Sequence, residues 1–251
     1  MILSPSCTLW YFLLYGRPST VFSPFLYKVK HGTLTWILTW IASLKCVSLH
    51  KYIHNYYFLV YCYMIDKQIY NPEQCPDIFN FLDTLEVEYH KPYKRFNQIV
   101  KVPRGQASYT LDESIHYDYK VSGGSPPNYI MCPRLKEITA RVNEALGTNF
   151  NTILLNKYKH GDDCIGFHKD RETGWAEGTG FATLAFGAAR DFQIKCDKTN
   201  ETSTILHKPG HALYMPYPMN HKYTHSIPKR KRVKKCRISL TFREIVPTQL
   251  S

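Results

Sequence analysis

Two stretches of the chain repeat apolar residues at helical spacing, and both precede a run of shorter alternating segments. Asn71–Leu85 carries Ile78, Phe79, Leu82 and Leu85 on one side, with Pro72 and Pro76 where a first turn tolerates them. Pro133–Leu146 repeats Leu135, Ile138, Val142 and Leu146 and then meets Gly147, a helix stop. Both stripes read as core-packing faces. After Phe150 the pattern shortens. Ile153–Tyr158, Phe181–Gly187, Phe192–Cys196, His211–Met215 and Arg237–Ile245 are short and bounded by Gly, Pro or Asn, and Tyr223–Ile227 reads as a further strand-edge segment. Helices followed by many short antiparallel strands predict an α+β fold: a double-stranded β-helix, or jelly roll, flanked by N-terminal helices. That region contains no internal repeat or low-complexity tract.

Composition divides the chain. All 20 acidic residues lie at or after Asp66, while residues 1–63 hold five Lys/Arg and three of the four Trp. The apolar stretches there, Leu9–Tyr15, Leu34–Leu44 and Tyr56–Tyr63, are each shorter than the ~18–20 residues a helix needs to span a bilayer. Residues 1–63 are therefore expected to lie outside the working domain, which would occupy 64–251; a targeting or membrane-attachment role is the alternative. The net charge of +12 suits a polyanionic partner. Eight cysteines without a CxxC pair match neither a zinc-finger spacing nor a small disulfide scaffold, so free thiols are expected.

The candidate chemistry sits in the β-rich part. His168-x-Asp170 is followed 55 residues after the aspartate by His225 and 12 residues later by Arg237. Two imidazoles and a carboxylate are the ligand set of a facial triad, which holds Fe(II) on one side and leaves positions open. In a strand, residues i and i+2 share a face, so His168 and Asp170 can grip one metal from a short extended segment. His211 and His221 are rivals to His225 as third ligand. Arg237 offers a planar fork suited to a carboxylate.

The text around these residues resembles the AlkB family of Fe(II)/2-oxoglutarate dioxygenases. The resembling blocks are Asn156-Lys157-Tyr158, Gly166-Phe167-His168-Lys169-Asp170, Ala185–Phe192, His225-Ser226-Ile227-Pro228 and Arg237–Arg243, in the family's order and spacing. The likeness spans about residues 75–246 and is greatest to the eukaryotic branch that repairs double-stranded DNA. It implies that His168, Asp170 and His225 bind Fe(II). Arg237 and Tyr158 would take the far carboxylate of 2-oxoglutarate, while Asn156 and Arg243 reach its keto-acid end. With O₂, such an enzyme hydroxylates the N-methyl group of 1-methyladenine or 3-methylcytosine, leaving formaldehyde, succinate and the free base.

A base inside a duplex must be flipped out to reach buried iron, and the gap can be filled by an apolar wedge. By resemblance Phe96 is that wedge, Arg104 contacts nucleic acid, and Tyr119 belongs to the substrate pocket. Glu172, two residues beyond Asp170, is grouped with them. Val121 departs from the pattern, standing where the family usually keeps an aromatic that stacks on the flipped base. Lys229–Arg237 carries seven cations in nine residues, which reads as a nuclear localisation signal, a solvated loop, or both. Within it Arg230, Lys231 and Arg232 match a cluster that grips the opposite DNA strand, giving salt-sensitive, sequence-independent affinity. The sequence thus predicts a monomeric nuclear DNA demethylase, acting on duplex and single-stranded DNA, with no stable membrane partner. An RNA demethylase of the same chemistry is the nearest alternative. A protein hydroxylase and a non-catalytic lesion-binding protein are more distant ones.

Overall fold

The structure, a computed structural model, describes residues 64–89, 92–95, 98–115 and 126–247. Residues 1–63, Phe96, Tyr119 and Val121 lie outside them. The described chain forms β1 (Ile65–Gln68), α1 (Cys75–Asp83), β2 (Glu88–Tyr89), β3 (Pro92–Arg95), β4 (Gln98–Lys101), β5 (Gly105–Thr110), β6 (Asn128–Ile130) and α2 (Pro133–Leu146). It continues through β7 (Thr152–Tyr158), β8 (Ile165–His168), β9 (Phe181–Gly187), β10 (Arg190–Cys196), β11 (Thr202–His207), β12 (His211–Met215), α3 (Tyr217–Lys222), β13 (Tyr223–Ile227) and β14 (Arg237–Arg243).

The strands make the expected double-sheet jelly roll. The larger sheet runs β1-β12-β9-β14-β7-β5-β2, with β6 added to β5, and the smaller runs β11-β10-β13-β8. β3 and β4 form a separate pair. Apart from the parallel β5–β6 pair, the ladders are antiparallel.

β14 is buried along its whole length, and its alternation sorts two interiors. Ile238, Leu240 and Phe242 join the main apolar cluster with Leu82 of α1 and Leu135, Ile138 and Val142 of α2. Each such side chain, fully buried, contributes roughly 1.5–3 kcal/mol. Arg237, Ser239, Thr241 and Arg243 line a pocket on the opposite face. β7 and β9 divide in the same way: Ile153, Leu155, Leu184 and Phe186 pack under the helices, while Leu154, Asn156, Tyr158, Phe181 and Thr183 line the pocket. In β14 the polar residues therefore mark the pocket wall.

The helices lie where the apolar stripes put them, but α1 is shorter at both ends, Cys75–Asp83 rather than Asn71–Leu85. α2 ends as expected: Gly147 adopts φ 68°, and its N–H bonds Asn143 O at 2.8 Å. α1 starts four residues later than Asn71. Asn71 and Gln74 exchange bonds, Gln74 N to Asn71 Oδ1 at 3.0 Å and Asn71 N to Gln74 Oε1 at 3.1 Å, which folds this stretch into a turn first. Among the described residues no helix is long and apolar enough to cross a membrane.

Candidate active site

His225 on β13 and His168 on β8 are direct cross-strand partners, and their ring centroids lie 4.2 Å apart. Asp170 follows just beyond the end of β8. Its Oδ1 is 3.4 Å from His168 Nε2 and 3.6 Å from His225 Nε2. One ligand atom from each residue falls within 4.8 Å of the others, so the three could hold a metal ion. The rivals stand elsewhere. His211 Nδ1 contacts Asp66 Oδ1 at 2.8 Å on the β1–β12 edge, and His221 Nε2 lies 3.3 Å from Glu172 Oε2.

The strand-face argument reaches only as far as His168, because β8 stops there. Asn220 takes the place of a strand neighbour for Asp170. Its Oδ1 accepts the Asp170 N–H at 3.1 Å, and its Nδ2 donates to Asp170 O at 2.8 Å. The same Nδ2 reaches Glu172 Oε1 at 2.6 Å. Glu172, expected at the substrate, is thus tied to the clamp that holds Asp170. Asn220 acts across 50 residues, so no local pattern could single it out.

The electrostatics favour a cation between the three side chains. Asp170 Oδ2 is engaged by both Arg243 Nε, at 3.2 Å, and Arg243 NH2. Burial alone would raise the Asp170 pKa, but the Arg243 guanidinium against Oδ2 holds it well below the usual carboxylate range. Oδ1 is left facing the two histidines. His168 Nδ1 lies 2.9 Å from Gly166 O, which assigns its hydrogen there and turns the Nε2 lone pair to the cluster. Burial pushes His225 down to about 3, so it is a neutral donor. Its ring stacks on Phe192 (5.5 Å, 11°) and meets Phe181 at 5.2 Å, which fixes its plane and keeps water off one side.

Arg237 lies in the same pocket, 1% exposed. Its NH1 donates to Ser239 Oγ at 2.9 Å, its NH2 meets His207 Nδ1 at 3.1 Å, and its Nε has no partner. No acidic side chain among the described residues forms an ion pair with it, and burial lowers its pKa to about 10. A buried cation without a counter-ion is costly, so this one fits an incoming carboxylate. Tyr158 stands opposite Arg237 in the β7–β14 ladder, with its ring 5.2 Å from the guanidinium carbon.

Asn156 Oδ1 accepts from Arg104 Nε at 2.8 Å and Gln106 Nε2 at 3.0 Å, so its NH₂ is the end offered to a ligand. Arg104, expected on nucleic acid, is buried on the pocket wall beside Asn156. Arg243, expected at the keto-acid end, is placed on Asp170. Tyr158 and Arg237 line the same pocket. Phe96 and Tyr119 fall outside the described residues. His207 belongs to none of the sequence motifs.

The cation-rich segment forms a docked loop between the strands that carry His225 and Arg237. Arg230 N donates to Gly161 O at 2.7 Å, and Gly161 N donates to Val233 O at 2.7 Å. A Cβ on Gly161 would lie 1.7 Å from Arg230 O, so only glycine allows this approach. Buried Arg190 bonds Pro228 O at 2.7 Å and Asp163 O at 3.0 Å, pinning the base of the loop. Arg230 is partly engaged by Asp191, at 2.6 Å from Nε, whereas Lys231 and Arg232 are exposed.

The family model described as "2OG-Fe(II) oxygenase superfamily" matches residues 62–243. The chain is 34% identical to the Bos taurus "DNA oxidative demethylase ALKBH2" over 72% of its own length and 68% of the relative's. It is 35% identical to the Mus musculus protein of the same name, covering 72% and 79%. To the Homo sapiens "Alpha-ketoglutarate-dependent dioxygenase alkB homolog 3" it is 28% identical, covering 48% and 46%. The solved structure of OsALKBH1 has the same fold, with a TM-score of 0.50 at 14% identity over 72% of this chain and 97% of that one.

Proposed function

We propose that this chain, which belongs to the 2OG-Fe(II) oxygenase superfamily and within it to the ALKBH-type members, is a DNA repair enzyme that oxidatively removes alkyl groups from bases. The observation that carries the reading is the pairing, in one pocket, of a metal-competent His168/Asp170/His225 cluster with a buried Arg237 that has no acid of its own. The relatives named DNA oxidative demethylase ALKBH2 supply the substrate class.

His168, Asp170 and His225 would hold Fe(II). Arg237 and Tyr158 would receive the far carboxylate of 2-oxoglutarate, with Asn156 near its other end. When bound, iron, 2-oxoglutarate and O₂ supply the oxidation that hydroxylates the N-methyl carbon of 1-methyladenine or 3-methylcytosine, leaving succinate and CO₂. The hydroxymethyl group then leaves as formaldehyde when its C–N bond breaks, and the electron pair stays on the base nitrogen.

The chain's own work is positional. Arg243 turns Asp170 so that Oδ1 faces the cluster, Asn220 fixes the Asp170 backbone, and Phe181 and Phe192 keep the His225 ring dry. Lys231 and Arg232, exposed on the loop, would hold phosphates; Arg230 would serve both that loop and DNA. Phe96 and Tyr119 are the candidates for wedge and base pocket. The exposed cation run supports nuclear import, and we take the enzyme to act as a monomer. The working domain would be 64–251, consistent with a family match that begins at residue 62.

The test is incubation with 1-methyladenine or 3-methylcytosine in single-stranded DNA, duplex DNA and RNA, with Fe(II), 2-oxoglutarate and O₂, products read by mass. Loss of the methyl group from DNA, dependent on both iron and 2-oxoglutarate, is expected. Turnover of RNA alone would redirect the reading to RNA, and no turnover of any of the three would remove it.

A further inference from the structure

With no acid beside Arg237, neutral groups must decide where its guanidinium points, and Tyr158, hydrogen-bonded to it from the facing strand, is one of three. Ser239 Oγ holds NH1, and His207 Nδ1 holds NH2. A guanidinium only donates, so Nδ1 must be the bare, accepting nitrogen. Nε2 then carries the single ring hydrogen, and it lies 2.8 Å from His211 O, a carbonyl that accepts it. One tautomer satisfies both contacts. His207 is 1% exposed, ends β11, and meets Phe192 edge-on at 6.2 Å and 90°, so the ring cannot turn. Burial and the charge of Arg237 push its pKa down to about 3, and it stays neutral beside the cation. It stands behind Arg237, outside the pocket lining.

We propose that His207 is a positioning residue, a fixed neutral acceptor that aims the Arg237 guanidinium at the far carboxylate of the 2-oxoacid co-substrate. This rests on the reading of Arg237 as that carboxylate's anchor. With NH1 held by Ser239, NH2 by His207 and Tyr158 also hydrogen-bonded to the fork, the guanidinium keeps one orientation, and its hydrogens not used in these bonds remain for the ligand. An apolar residue at 207 would leave NH2 without its acceptor and the fork free to swing.

Binding can be measured without turnover by calorimetry on the full chain loaded with Mn(II). Two ligands are compared: 2-oxoglutarate, and 2-oxopentanoate, which keeps the 2-oxoacid head but ends in a methyl group. His207→Leu should weaken 2-oxoglutarate by about tenfold or more, the scale of a hydrogen bond to a charged group. It should leave 2-oxopentanoate within about twofold. His207→Asn, whose Oδ1 can accept where Nδ1 did, should recover most of the loss. Equal weakening of both ligands, no change in either, or an asparagine variant as weak as the leucine one would each overturn the proposal. If the leucine variant does not fold, the asparagine variant decides alone: 2-oxoglutarate binding within about threefold of the unsubstituted protein upholds the role, and a loss of about tenfold removes it. Arg237→Gln in the same assay tests the underlying reading. It should erase the preference for the diacid, and a preference that survives ends the anchor assignment itself. If Arg237→Gln erases that preference while His207→Leu keeps it, only the role of His207 falls.

Discussion

Asp170 is the residue on which the most interactions converge. Arg243 fixes one carboxylate oxygen, Asn220 fixes the backbone on both sides, and the remaining oxygen faces two imidazoles. His225→Ala should therefore abolish tight Mn(II) or Fe(II) binding, while His221→Ala and His211→Ala retain it. Metal titration followed by calorimetry checks this, and metal retained by His225→Ala would move the third ligand elsewhere. The buried groups also set the pH dependence of stability. His207 has a folded pKa of about 3 against an unfolded value near 6.5, so the unfolded chain takes its proton first as pH falls. The stability it contributes is present above about pH 6.5 and is lost towards pH 3, at up to about 1.4 kcal/mol per pH unit. Asp170, also depressed, acts in the same direction at lower pH. Urea midpoints should fall with acidification, and the fall between pH 6.5 and 4 should be shallower in His207→Asn. An unchanged slope would exclude the buried neutral imidazole.

At the scale of elements, the cation-rich loop is held by its backbone and displays only part of its charge. Arg230 pairs with Asp191 and docks on Gly161, while Lys231 and Arg232 face outward. Replacing Lys231 and Arg232 with alanine should weaken duplex DNA binding and lower the slope of log affinity against log salt by up to about 0.9 per lost contact. Gly161→Ala should act differently. Its Cβ would displace the Arg230 carbonyl, so all three cations would lose their positions although none is removed. Filter binding across a salt series separates the two. A glycine variant with wild-type affinity and slope would mean that the docked form is not the one DNA meets.

For the whole molecule, the described fold closes on itself from β1 onward. β1 pairs with β12 along its four residues and completes an edge of the larger sheet. A chain beginning at Met64 keeps that strand and every residue of the pocket. It should express as a soluble protein, melt cooperatively, and demethylate DNA with a kcat/KM within about threefold of the full chain, a difference under 1 kcal/mol. Circular dichroism melts with the mass assay check this, and loss of folding on truncation would make residues 1–63 part of the structure.

What sequence determined and what only tertiary structure decided divide along the range of the forces involved. Helical stripes such as Leu135/Ile138/Val142, the Gly147 stop and the alternation of β14 are local, because backbone geometry ties side-chain direction to spacing of a few residues. The jelly roll was legible from them, and so was the shared face of Arg237 and Arg243. The partners of those side chains were not legible. Arg243 turns to Asp170, Arg104 turns inward to Asn156, and Asn220 supplies the ladder bonds that β8 lacks. These contacts join residues 50 to 73 positions apart. Composition around His207 carries no mark of its contact with Arg237, because that contact exists only where the end of β11 closes over β14. A buried charge must be satisfied by whatever polar atom the fold brings within reach, and only the assembled sheets decide which atom that is.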